Sequence, residues 1–245
     1  TPNEVLAYLQ KSDADIICLQ EYVTGGKLKK KDIDYALRAY PYRHYYSLAD
    51  GWNGLGCYSR YPILSAKPIP YKSANNGSIA YYIKVKDDTL VVVNNHLESN
   101  RILDEDVKTY QIMVDTPNRE NVSFGLRTLL KKLAEASKVR AKQTDVVKET
   151  LRGLDENASV IVCGDFNDTP ISYTHHTLSE NLQDAFVEAG NGLGISYNRH
   201  RLYFRIDHIL CSKNMNVHRC EVDNTIEASD HYPVWCYLSL KKDND

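Results

Sequence analysis

Acidic, amide and imidazole side chains follow several apolar runs of this sequence, at positions where they could do chemistry. Asp165 and Asn167 come after "VIVCG", Glu21 comes after "DIICLQ", and His96 comes after "LVVVNN". Residues two apart in an extended chain point to the same side, so Asp165 and Asn167 can present oxygens to one point while Phe166 faces the core. This spacing predicts a polar site at the ends of buried strands.

Two further stretches near the C-terminus carry groups of the same kind. Asp207 lies in "RIDHILCS", and Asp230 and His231 precede "YPVWCYL". Several carboxylates at one site raise each other's pKa unless a cation neutralises them. Carboxylate and amide oxygens suit a hard divalent ion, whereas zinc prefers nitrogen and sulfur. We therefore predict a Mg²⁺ or Mn²⁺ cofactor.

Each of these residues also has an ordinary structural interpretation. Asp and Asn after a strand are common turn formers and helix caps. Glu21 could be a solvated strand end, and His96 a structural imidazole with its hydrogen bonds satisfied. Asp207 could be a buried acid paired with Arg205 or another neighbour, and "SDH" at 229–231 could form an Asx-turn. The functional hypothesis depends on all of these positions occurring together in one chain.

Composition limits the class of protein. The chain has 245 residues, of which 42% are hydrophobic, so it can bury a sizeable core, and one domain over 1–245 is expected. A formal net charge of -2 excludes binding of a polyanion through overall charge alone. The six cysteines include no C-x-x-C spacing and are interpreted as reduced structural thiols. No apolar run reaches the length of a membrane span, and no signal peptide is recognised.

The elements that position these residues alternate between helices and strands. Helices are predicted at 2–11, 30–39, 123–152 and 171–179. Strands are predicted at 13–21, 43–49, 54–60, 63–69, 79–86, 89–95, 159–163, 205–211, 216–223 and 233–240, and a polar connection is predicted at 98–122. One stripe of the long helix is expected to face the core: Leu126, Leu129, Leu130, Leu133, Val147 and Leu151. Apolar strands covered on both faces indicate packed sheets with helices outside.

Five motifs carry a resemblance to a known family. They are "DADIICLQEY", "VVVNNHLES", "VIVCGDFNDTP", "RIDHILCS" and "SDHYPV". Their order and spacing resemble those of the endonuclease/exonuclease/phosphatase superfamily, in a bacterial-type member, with a fold like that of deoxyribonuclease I. The resemblance implies an α/β fold, a four-layered sandwich of two packed mixed β-sheets flanked by helices, and a metal-dependent phosphoesterase site at one edge.

The resemblance also implies roles for individual residues. Glu21 resembles the metal-ligand glutamate, Asp230 a further carboxylate on the metal side, and Asp165 the aspartate that aligns the attacking water. Asn167 resembles the asparagine that contacts phosphate, and His96 resembles the residue that contacts the phosphate or acts as an acid. His231 resembles the catalytic histidine, held by Asp207. Asn53, and Arg205 at the end of the basic stretch "NRHRLYFR" at 198–205, are predicted to contact substrate.

The sequence departs from the family pattern at its start. Family members begin with a central strand that ends in an asparagine near the metal, and this sequence starts after that point. We therefore expect a fragment that lacks its first strand, with a gap in one sheet, one metal ligand fewer and reduced stability. A membrane or export segment further upstream would decide the compartment, which the sequence leaves open.

The chemistry expected from these groups is hydrolysis of a phosphate ester by an activated water, without a covalent intermediate. A Ser-His-Asp hydrolase is the enzymatic alternative, but no G-x-S-x-G elbow occurs. A different alternative is a non-catalytic module that binds a phosphorylated ligand or partner at the same cleft. The substrate is left open among nucleic acid, a phospholipid head group and a small phosphoester, and a monomer without an obligate protein partner is expected.

Overall fold

The computed structural model describes residues 3–23, 28–48, 51, 53–100, 102, 104–116, 118–199 and 202–241. In chain order its elements are α1 (Glu4–Lys11), β1 (Ile16–Leu19), α2 (Lys30–Ala36), β2 (Tyr42–Ser47), β3 (Gly54–Ser59), β4 (Ile63–Pro68), β5 (Gly77–Val85), β6 (Asp88–His96), α3 (Asp104–Asp115), α4 (Arg119–Arg152), β7 (Ser159–Asp165), α5 (Tyr173–Ser179), β8 (Leu182–Asp184), α6 (Ala185–Ala189), β9 (Tyr197–Arg199), β10 (Leu202–Phe204), β11 (Asp207–Ser212), β12 (Met215–Val222) and β13 (Val234–Leu240). Every predicted helix and strand has a counterpart, shifted by a few residues at its ends.

A six-stranded mixed sheet carries most of the site. Its strand order is β4-β5-β6-β7-β11-β8, and β6 and β7 run parallel while the other pairs are antiparallel. The runs "LVVV" of β6 and "VIVC" of β7 are rich in β-branched residues and are largely buried, as expected for central strands covered on both faces. The parallel pair brings the C-terminal ends of β6 and β7 to the same edge of the sheet.

Two smaller sheets, β1-β3-β2 and β12-β13, cover one face of the six-stranded sheet. The cluster between them combines residues of both layers: Leu55, Cys57, Ile79, Tyr81, Ile83, Val92, Cys211 and, at its margin, Val217 and Leu238. A second cluster joins the other face of the large sheet to Val147 of α4 and Leu178 of α5. A third cluster joins the outside of β1 and β3 to Ile33 of α2. Helices therefore flank two packed sheets, and the predicted four-layered sandwich is confirmed.

The first helix shows how a sequence signal fixes a helix boundary. The Asn3 side chain accepts a hydrogen bond from the Leu6 amide at 2.9 Å, which makes Asn3 the N-cap. The helix therefore begins at Glu4 and not at residue 2 as predicted, because the Asn3 side chain supplies the cap and its backbone is extended.

The prediction of a polar connection at 98–122 is wrong in part, because helix α3 lies within this region. Thr109 and Met113 of α3 pack against Gly125 of α4, and Asp106 binds Lys132 at 2.5 Å, so α3 and α4 form an antiparallel hairpin. The polar character of α3 hid it, since its contacts are mainly with one other helix.

The predicted core stripe of α4 is wrong for the first half of that helix. Val147 is buried in the core, and Leu151 packs against the same cluster. In contrast, Leu126, Leu130 and Leu133 are exposed to between 36% and 54%. The first half of α4 extends past the sheet and has α3 as its main neighbour, so the stripe continues along the helix beyond the surface that would cover it.

A wide cleft separates the two smaller sheets. Within the described residues β1 pairs only with β3 and β13 pairs only with β12, and both strands line a cleft of about 1910 Å³. Its floor includes Leu90, Val92 and Ile161 of the large sheet. A strand inserted between β1 and β13 would join the two smaller sheets into one.

The six cysteines are free thiols in this structure. Among the described residues, no helix combines the length and the apolar character needed to cross a bilayer.

Candidate active site

Asp165 and Asn167 form one hydrogen-bonded unit at the end of β7. Asn167 has a φ of 52°, which turns the chain so that its amide N–H donates to Asp165 Oδ1 at 2.7 Å and its Nδ2 donates to Asp165 Oδ2 at 2.7 Å. Gly164 has a φ of 118°, and a Cβ there would stand 2.1 Å from the Asn95 carbonyl oxygen. Only glycine allows this approach of β7 to β6, which fixes the Asp165 carboxylate at the sheet edge.

Strand register brings the predicted residues together. The parallel pairing of β6 and β7 sets His96 opposite Asp165, and the antiparallel pairing of β7 and β11 sets Asp207 opposite Asp165. His96 Nε2 lies 3.8 Å from Asp165 Oδ2 and 3.8 Å from Glu21 Oε1, across the space between the two sheets. Residues 75 and 69 positions apart in sequence therefore meet at one edge.

His231 joins this group from the loop before β13. Its Nδ1 is 2.8 Å from Asp207 Oδ2, and one ligand atom from each of Asp165, Asp207 and His231 lies within 4.8 Å of the other two. A bridge between the backbones of Tyr197 and His231, with ring centroids 5.1 Å apart, holds the imidazole in place. Because Asp207 occupies Nδ1, the other ring nitrogen of His231 is left for a ligand.

The two histidines are driven to opposite protonation states. Burial alone would lower the pKa of His231, but the hydrogen bond with Asp207 and the negative charges of Asp207, Asp165 and Asp230 outweigh burial and raise its pKa to about 9. Burial and the positive charge of His231 lower the pKa of His96 to about 4, against an opposing effect of Asp207. At neutral pH, His231 is a cation and His96 is neutral.

Asp165 shows that negative charge is concentrated here. Burial raises its pKa, and the charges of Asp207 and Glu21 raise it further, against the opposing effects of His231 and of the Asn167 amide. Among the described residues, the site holds three acidic side chains, Glu21, Asp165 and Asp207, and one charged histidine, His231. The remaining charge and the oxygen donors fit a hard divalent cation, and Glu21 and Asp165 are the residues that would hold it.

A comparison with protein families decides the identity of this fold. The family described as "Endonuclease/Exonuclease/phosphatase family" matches residues 1–231. The chain belongs to this family. Members of the endonuclease/exonuclease/phosphatase family are phosphoesterases. No curated protein matches the sequence.

Several solved structures share the fold of this family member. An endonuclease/exonuclease/phosphatase from Bacteroides vulgatus has a TM-score of 0.69 and 17% identity, covering 97% of this chain and 89% of its own. The mannosyl-6-phosphatase Bt3783 of Bacteroides thetaiotaomicron has a TM-score of 0.65 and 18% identity, covering 97% and 90%. D. rerio TDP2, in complex with a single-strand DNA product, has a TM-score of 0.65 and 16% identity, covering 96% and 90%.

Three residues predicted for the site lie outside this central group. Asp230 adjoins His231, but its Oδ2 accepts a hydrogen bond from Arg199 Nη1 at 3.1 Å. Asn53 lies on the same edge as Glu21, just before β3, where its Nδ2 donates to the Asn75 carbonyl at 3.1 Å. The contact of Asp230 with a metal and the contact of Asn53 with substrate stay predictions.

Arg205 lies away from the central group of site residues and is paired with Asp184. Its guanidinium binds the buried carboxylate of Asp184 through two nitrogens at 3.1 Å and lies over the ring of Phe186 at 5.1 Å. A planar guanidinium paired in this bidentate way is held firmly, so a substrate contact by Arg205 does not fit this arrangement. Residues 200 and 201 of the same basic stretch lie outside the described residues.

A buried arginine that was not among the predicted residues supports the site. Arg140 of α4 donates from Nη1 to the Glu98 carbonyl and to Asn100 Oδ1, both at 2.8 Å, and from Nε to Asp168 Oδ2 at 3.2 Å. Asn100 Nδ2 in turn donates to the Asn167 carbonyl at 3.1 Å. Arg140 therefore positions the turn that carries Asn167. One signal was available, because Arg140 lies seven residues from Leu133 and from Val147, on the predicted core stripe.

A buried amide ties the two sheets together below Glu21. Asn94 accepts a hydrogen bond from Gln20 Nε2 at 2.6 Å, and its Nδ2 donates to the carbonyls of Leu19 and Gly56 at 3.2 and 3.3 Å. The amide pair Asn94-Asn95 inside an otherwise apolar strand was the available signal. These bonds set the end of β1, and so Glu21, relative to β6.

Proposed function

We propose that this chain is a Mg²⁺- or Mn²⁺-dependent phosphoesterase that hydrolyses its substrate by direct attack of an activated water. The observation that supports this most strongly is the ion pair of His231 and Asp207 next to the buried carboxylate of Asp165. Family membership supports hydrolysis of a phosphoester in general. The residue roles and the metal are our proposal.

We propose a role for each group. Hydrolysis requires a deprotonated nucleophile and stabilisation of negative charge on the phosphate oxygens. Asp165, oriented by Asn167, is the base that accepts the proton of water. His231, charged and held through Nδ1, donates a hydrogen bond from Nε2 to a phosphate oxygen. His96 is neutral and faces the same space with Nε2, so it can donate a second, uncharged hydrogen bond.

A divalent cation at Glu21 and Asp165 would supply positive charge that stabilises the phosphate and the leaving oxygen. The residues themselves explain why the cation is needed. Without added positive charge, burial and the neighbouring charges of Asp207 and Glu21 raise the pKa of Asp165 and favour its protonated form, in which it cannot act as a base. We propose an oxygen-selective site, at which Mg²⁺ or Mn²⁺ binds and zinc substitutes poorly.

Metal binding is tested by isothermal titration calorimetry with MgCl₂, MnCl₂ and ZnCl₂. We expect Mn²⁺ and Mg²⁺ to bind, and Glu21→Gln to weaken their binding by about tenfold or more because it removes one charged ligand. Asp88→Asn, an exposed acid at the opposite end of β6, is the control and should bind metal like the wild type. Absence of Mg²⁺ and Mn²⁺ binding to the wild type would contradict the proposed cofactor.

Turnover is tested with chromogenic phosphate monoesters and diesters in the presence of Mg²⁺ or Mn²⁺. Asp165→Asn and His231→Ala should each reduce kcat/KM by about 10³-fold, as expected for loss of an acid–base or charge-stabilising group. Both should keep the wild-type melting temperature within a few degrees. The same Asp88→Asn control should retain full activity, and near-native turnover by either site variant would show that its role is assigned incorrectly.

The substrate class determines the assay panel. Structures similar to this chain include a mannosyl-6-phosphatase and a protein bound to a single-strand DNA product. We therefore propose to compare sugar phosphates, single-stranded DNA and RNA, and phospholipid head-group esters under one condition. If the chain binds phosphorylated ligands without turnover of any of them, the non-catalytic alternative is the correct one.

A further inference from the structure

Four of the six cysteines form directly opposed pairs across neighbouring strands. Cys18 of β1 lies opposite Cys57 of β3, and Cys220 of β12 lies opposite Cys236 of β13, each in an antiparallel pair of strands. Directly opposed side chains point to the same face of a sheet, so the two thiols of each pair are neighbours. The paired cysteines are 39 and 16 positions apart in sequence, and it is the strand register that brings them together.

Cys18 and Cys57 occupy a close position of their strand pair. Opposed residues of antiparallel strands alternate between hydrogen-bonded and non-hydrogen-bonded pairs, and the latter have Cα atoms about 4.5 Å apart. The Arg60 amide donates to the Asp15 carbonyl at 2.9 Å, which marks that pair as hydrogen-bonded. Three pairs further along the same register, Cys18 and Cys57 are therefore a non-hydrogen-bonded pair. A disulfide spans Cα separations of roughly 4.4 to 6.8 Å, so this pair is within bridging distance.

The pair on β12 and β13 has the same geometry. The Asp223 amide donates to the Pro233 carbonyl at 2.8 Å, and these two residues continue the register of the strands. Cys220 and Cys236, three pairs away, are therefore also a non-hydrogen-bonded pair. Opposed Cβ atoms at such positions are about 4.5 Å apart and those of a disulfide about 3.8 Å apart, so closing either bridge requires a shift of less than about 1 Å.

Each pair combines one accessible thiol with one buried thiol. Cys18 and Cys236 are partly exposed and line the cleft between β1 and β13, whereas Cys57 and Cys220 are buried. A small oxidant that enters the cleft therefore meets Cys18 or Cys236 first, with a second thiol directly opposite. An accessible thiol next to a resolving cysteine is the arrangement in which oxidation ends at a disulfide.

We propose that Cys18–Cys57 and Cys220–Cys236 are two oxidation sites that close as cross-strand disulfides in response to hydrogen peroxide. The thiolate that faces the cleft attacks one peroxide oxygen, which forms a sulfenic acid and, after protonation, releases water. The partner thiol then attacks the sulfenic sulfur and releases a second water. In total, two thiols give up two electrons and two protons, and one peroxide becomes two molecules of water.

The bridges would lie in both walls of the cleft, close to the candidate active site. Cys18 precedes Glu21 by three residues, and Cys236 follows His231 by five. Each bridge would tie one wall of the cleft, β1 or β13, to its neighbouring strand, and would restrict the unfolded chain. The oxidised protein should therefore melt roughly 5 °C above the reduced protein, and dithiothreitol should reverse the change. Equal melting temperatures would refute this stabilisation.

Cys163 is the competing partner of Cys18. The side chain of Cys18 interacts with both Cys163 of β7 and Cys57 of β3. Cys57 is favoured because the pairing of β1 with β3 holds it opposite Cys18, whereas a bridge to Cys163 would pull two facing sheets together. Cys163 and Cys211 are therefore expected to stay reduced.

Burial slows the reaction at neutral pH. Burial raises the pKa of the Cys236 thiol, and the neighbouring thiols of Cys220, Cys211 and Cys163 raise it further. Because the thiolate is the reactive form, the rate of oxidation should rise by about tenfold per pH unit between about pH 7 and pH 9.

Peptide mapping of the native protein tests the proposal. The protein is treated with hydrogen peroxide at about pH 8.5, alkylated in urea and digested without reduction. We expect the loss of four of the six thiols and the appearance of two linked peptides, Cys18–Cys57 and Cys220–Cys236. Protein oxidised in urea should instead give mixed pairings, because unfolding removes the register.

Single variants separate the two bridges. Cys57→Ala should remove the first bridge and leave the second, and Cys220→Ala should do the reverse. Cys211→Ala is the matched control, because Cys211 is buried and lies opposite Ile161 and Gln183, and this variant should form both bridges. Circular dichroism melts of the reduced variants show whether each is folded, and the wild-type map stands without them.

Each pair can fail independently of the other. A pair that stays reduced after prolonged treatment, or whose accessible cysteine becomes a sulfinic or sulfonic acid without bridging, would refute the proposal for that pair. A Cys18–Cys163 link, or disulfides only between two molecules, would overturn the pairing by register. The map reports sulfur chemistry alone, so its result is independent of whether the chain hydrolyses phosphoesters.

Discussion

At the scale of single residues, the site contains two histidines with opposite electrostatic surroundings. His231 is hydrogen-bonded to Asp207 and stays charged, whereas buried His96 stays neutral. Groups whose environments push their pKa values apart are suited to different roles in one reaction. A charged donor at His231 and a neutral one at His96 can therefore act on the same phosphate at one pH.

The Asp207 variant tests how this difference is produced. Asp207→Asn removes the strongest support for the imidazolium, so the pKa of His231 should fall from about 9 towards or below its ordinary value. Activity that needs charged His231 is present below its pKa and lost above it, so the alkaline limb of kcat/KM should move to lower pH by a unit or more. Asp230→Asn is the control, because Arg199 already binds the Asp230 carboxylate. The alkaline limb of the kcat/KM profile of this variant should move less than that of Asp207→Asn. Identical pH profiles for Asp207→Asn and wild type would refute charge control by Asp207.

A buried histidine outside the site makes stability depend on pH. The Nε2 of His208 donates to the Asp168 carbonyl oxygen, 2.9 Å away, and burial lowers the pKa of His208 to about 4, with the charges of His175 and Arg205 acting in the same direction. Below its ordinary pKa of about 6.5 the unfolded chain takes up a proton that the folded chain does not. Folding stability is therefore intact above about pH 6.5 and falls as the pH drops towards 4, by up to roughly 3 kcal/mol.

Urea titrations between pH 7 and 4.5 measure this effect. His208→Gln keeps a polar group near the Asp168 carbonyl and should show a smaller loss of unfolding free energy over this range than the wild type. His218→Gln, at an exposed histidine of β12, is the matched control and should retain the wild-type slope. An unchanged slope in His208→Gln would show that His208 is not the group responsible.

At the scale of elements, the strand ends could be predicted because the hydrophobic periodicity and the amino-acid composition of a strand are local properties of the sequence. The runs before Glu21, His96 and Asp165 are apolar and β-branched, so both the strand and its polar end are visible in sequence. Their convergence depends on register, which the family motifs implied and no local pattern encodes. Arg140 and Asn94 were missed for the same reason: their side-chain partners lie 28 residues or more away in sequence.

The wrong core stripe of α4 and the missed helix α3 have one physical cause: a sequence pattern does not show which element packs against a helix. Periodicity shows that one face of a helix is apolar, but it cannot show whether another element lies against that face. For Val147 the large sheet lies there, and for Leu126 and Leu130 it does not. Helix α3 was missed because it packs mainly on α4 and needs only a short apolar contact.

The close approach of β6 and β7 gives a prediction at this scale. Gly164→Ala would place a Cβ 2.1 Å from the Asn95 carbonyl oxygen and would strain a residue at φ 118°. We expect a loss of about 3 kcal/mol in unfolding free energy by urea titration, with lower activity because Asp165 adjoins the strained residue. Gly153→Ala is the control, since its Cβ would stand 3.5 Å from the nearest atom, and it should change stability by less than about 1 kcal/mol. Equal stability of the two variants would mean that the strands can separate at little cost.

At the scale of the whole molecule, the cleft between β1 and β13 interrupts an otherwise layered structure. In the part of the chain that the structure describes, each of these strands is paired along one edge, and the other edge carries backbone N–H and C=O groups that a further strand could bind. The polar end of this cleft is the candidate active site, since Glu21, Asp165 and His231 line it together with the strand edges. Stability of the sandwich and geometry of the site are therefore linked through this cleft.

An extended segment joined ahead of residue 1 should fill the cleft. Helix α1 leads into β1, so a strand placed before α1 would run parallel to β1, and β3 already covers the other edge of β1. With alternating apolar residues, such a strand would cover the floor and pair with both edges. We expect the melting temperature to rise by at least about 5 °C, and Mg²⁺ to bind more tightly because β1 is held in place.

Hydrogen exchange locates the effect. The amides of β13 that face the cleft should exchange more slowly in the extended chain, whereas amides bonded to β12 should change little. The same extension with proline at alternate positions is the control, since proline cannot donate to a strand partner and should give no protection. Equal melting temperatures, metal affinities and exchange rates in the short and extended chains would show that the sandwich does not need a strand between β1 and β13.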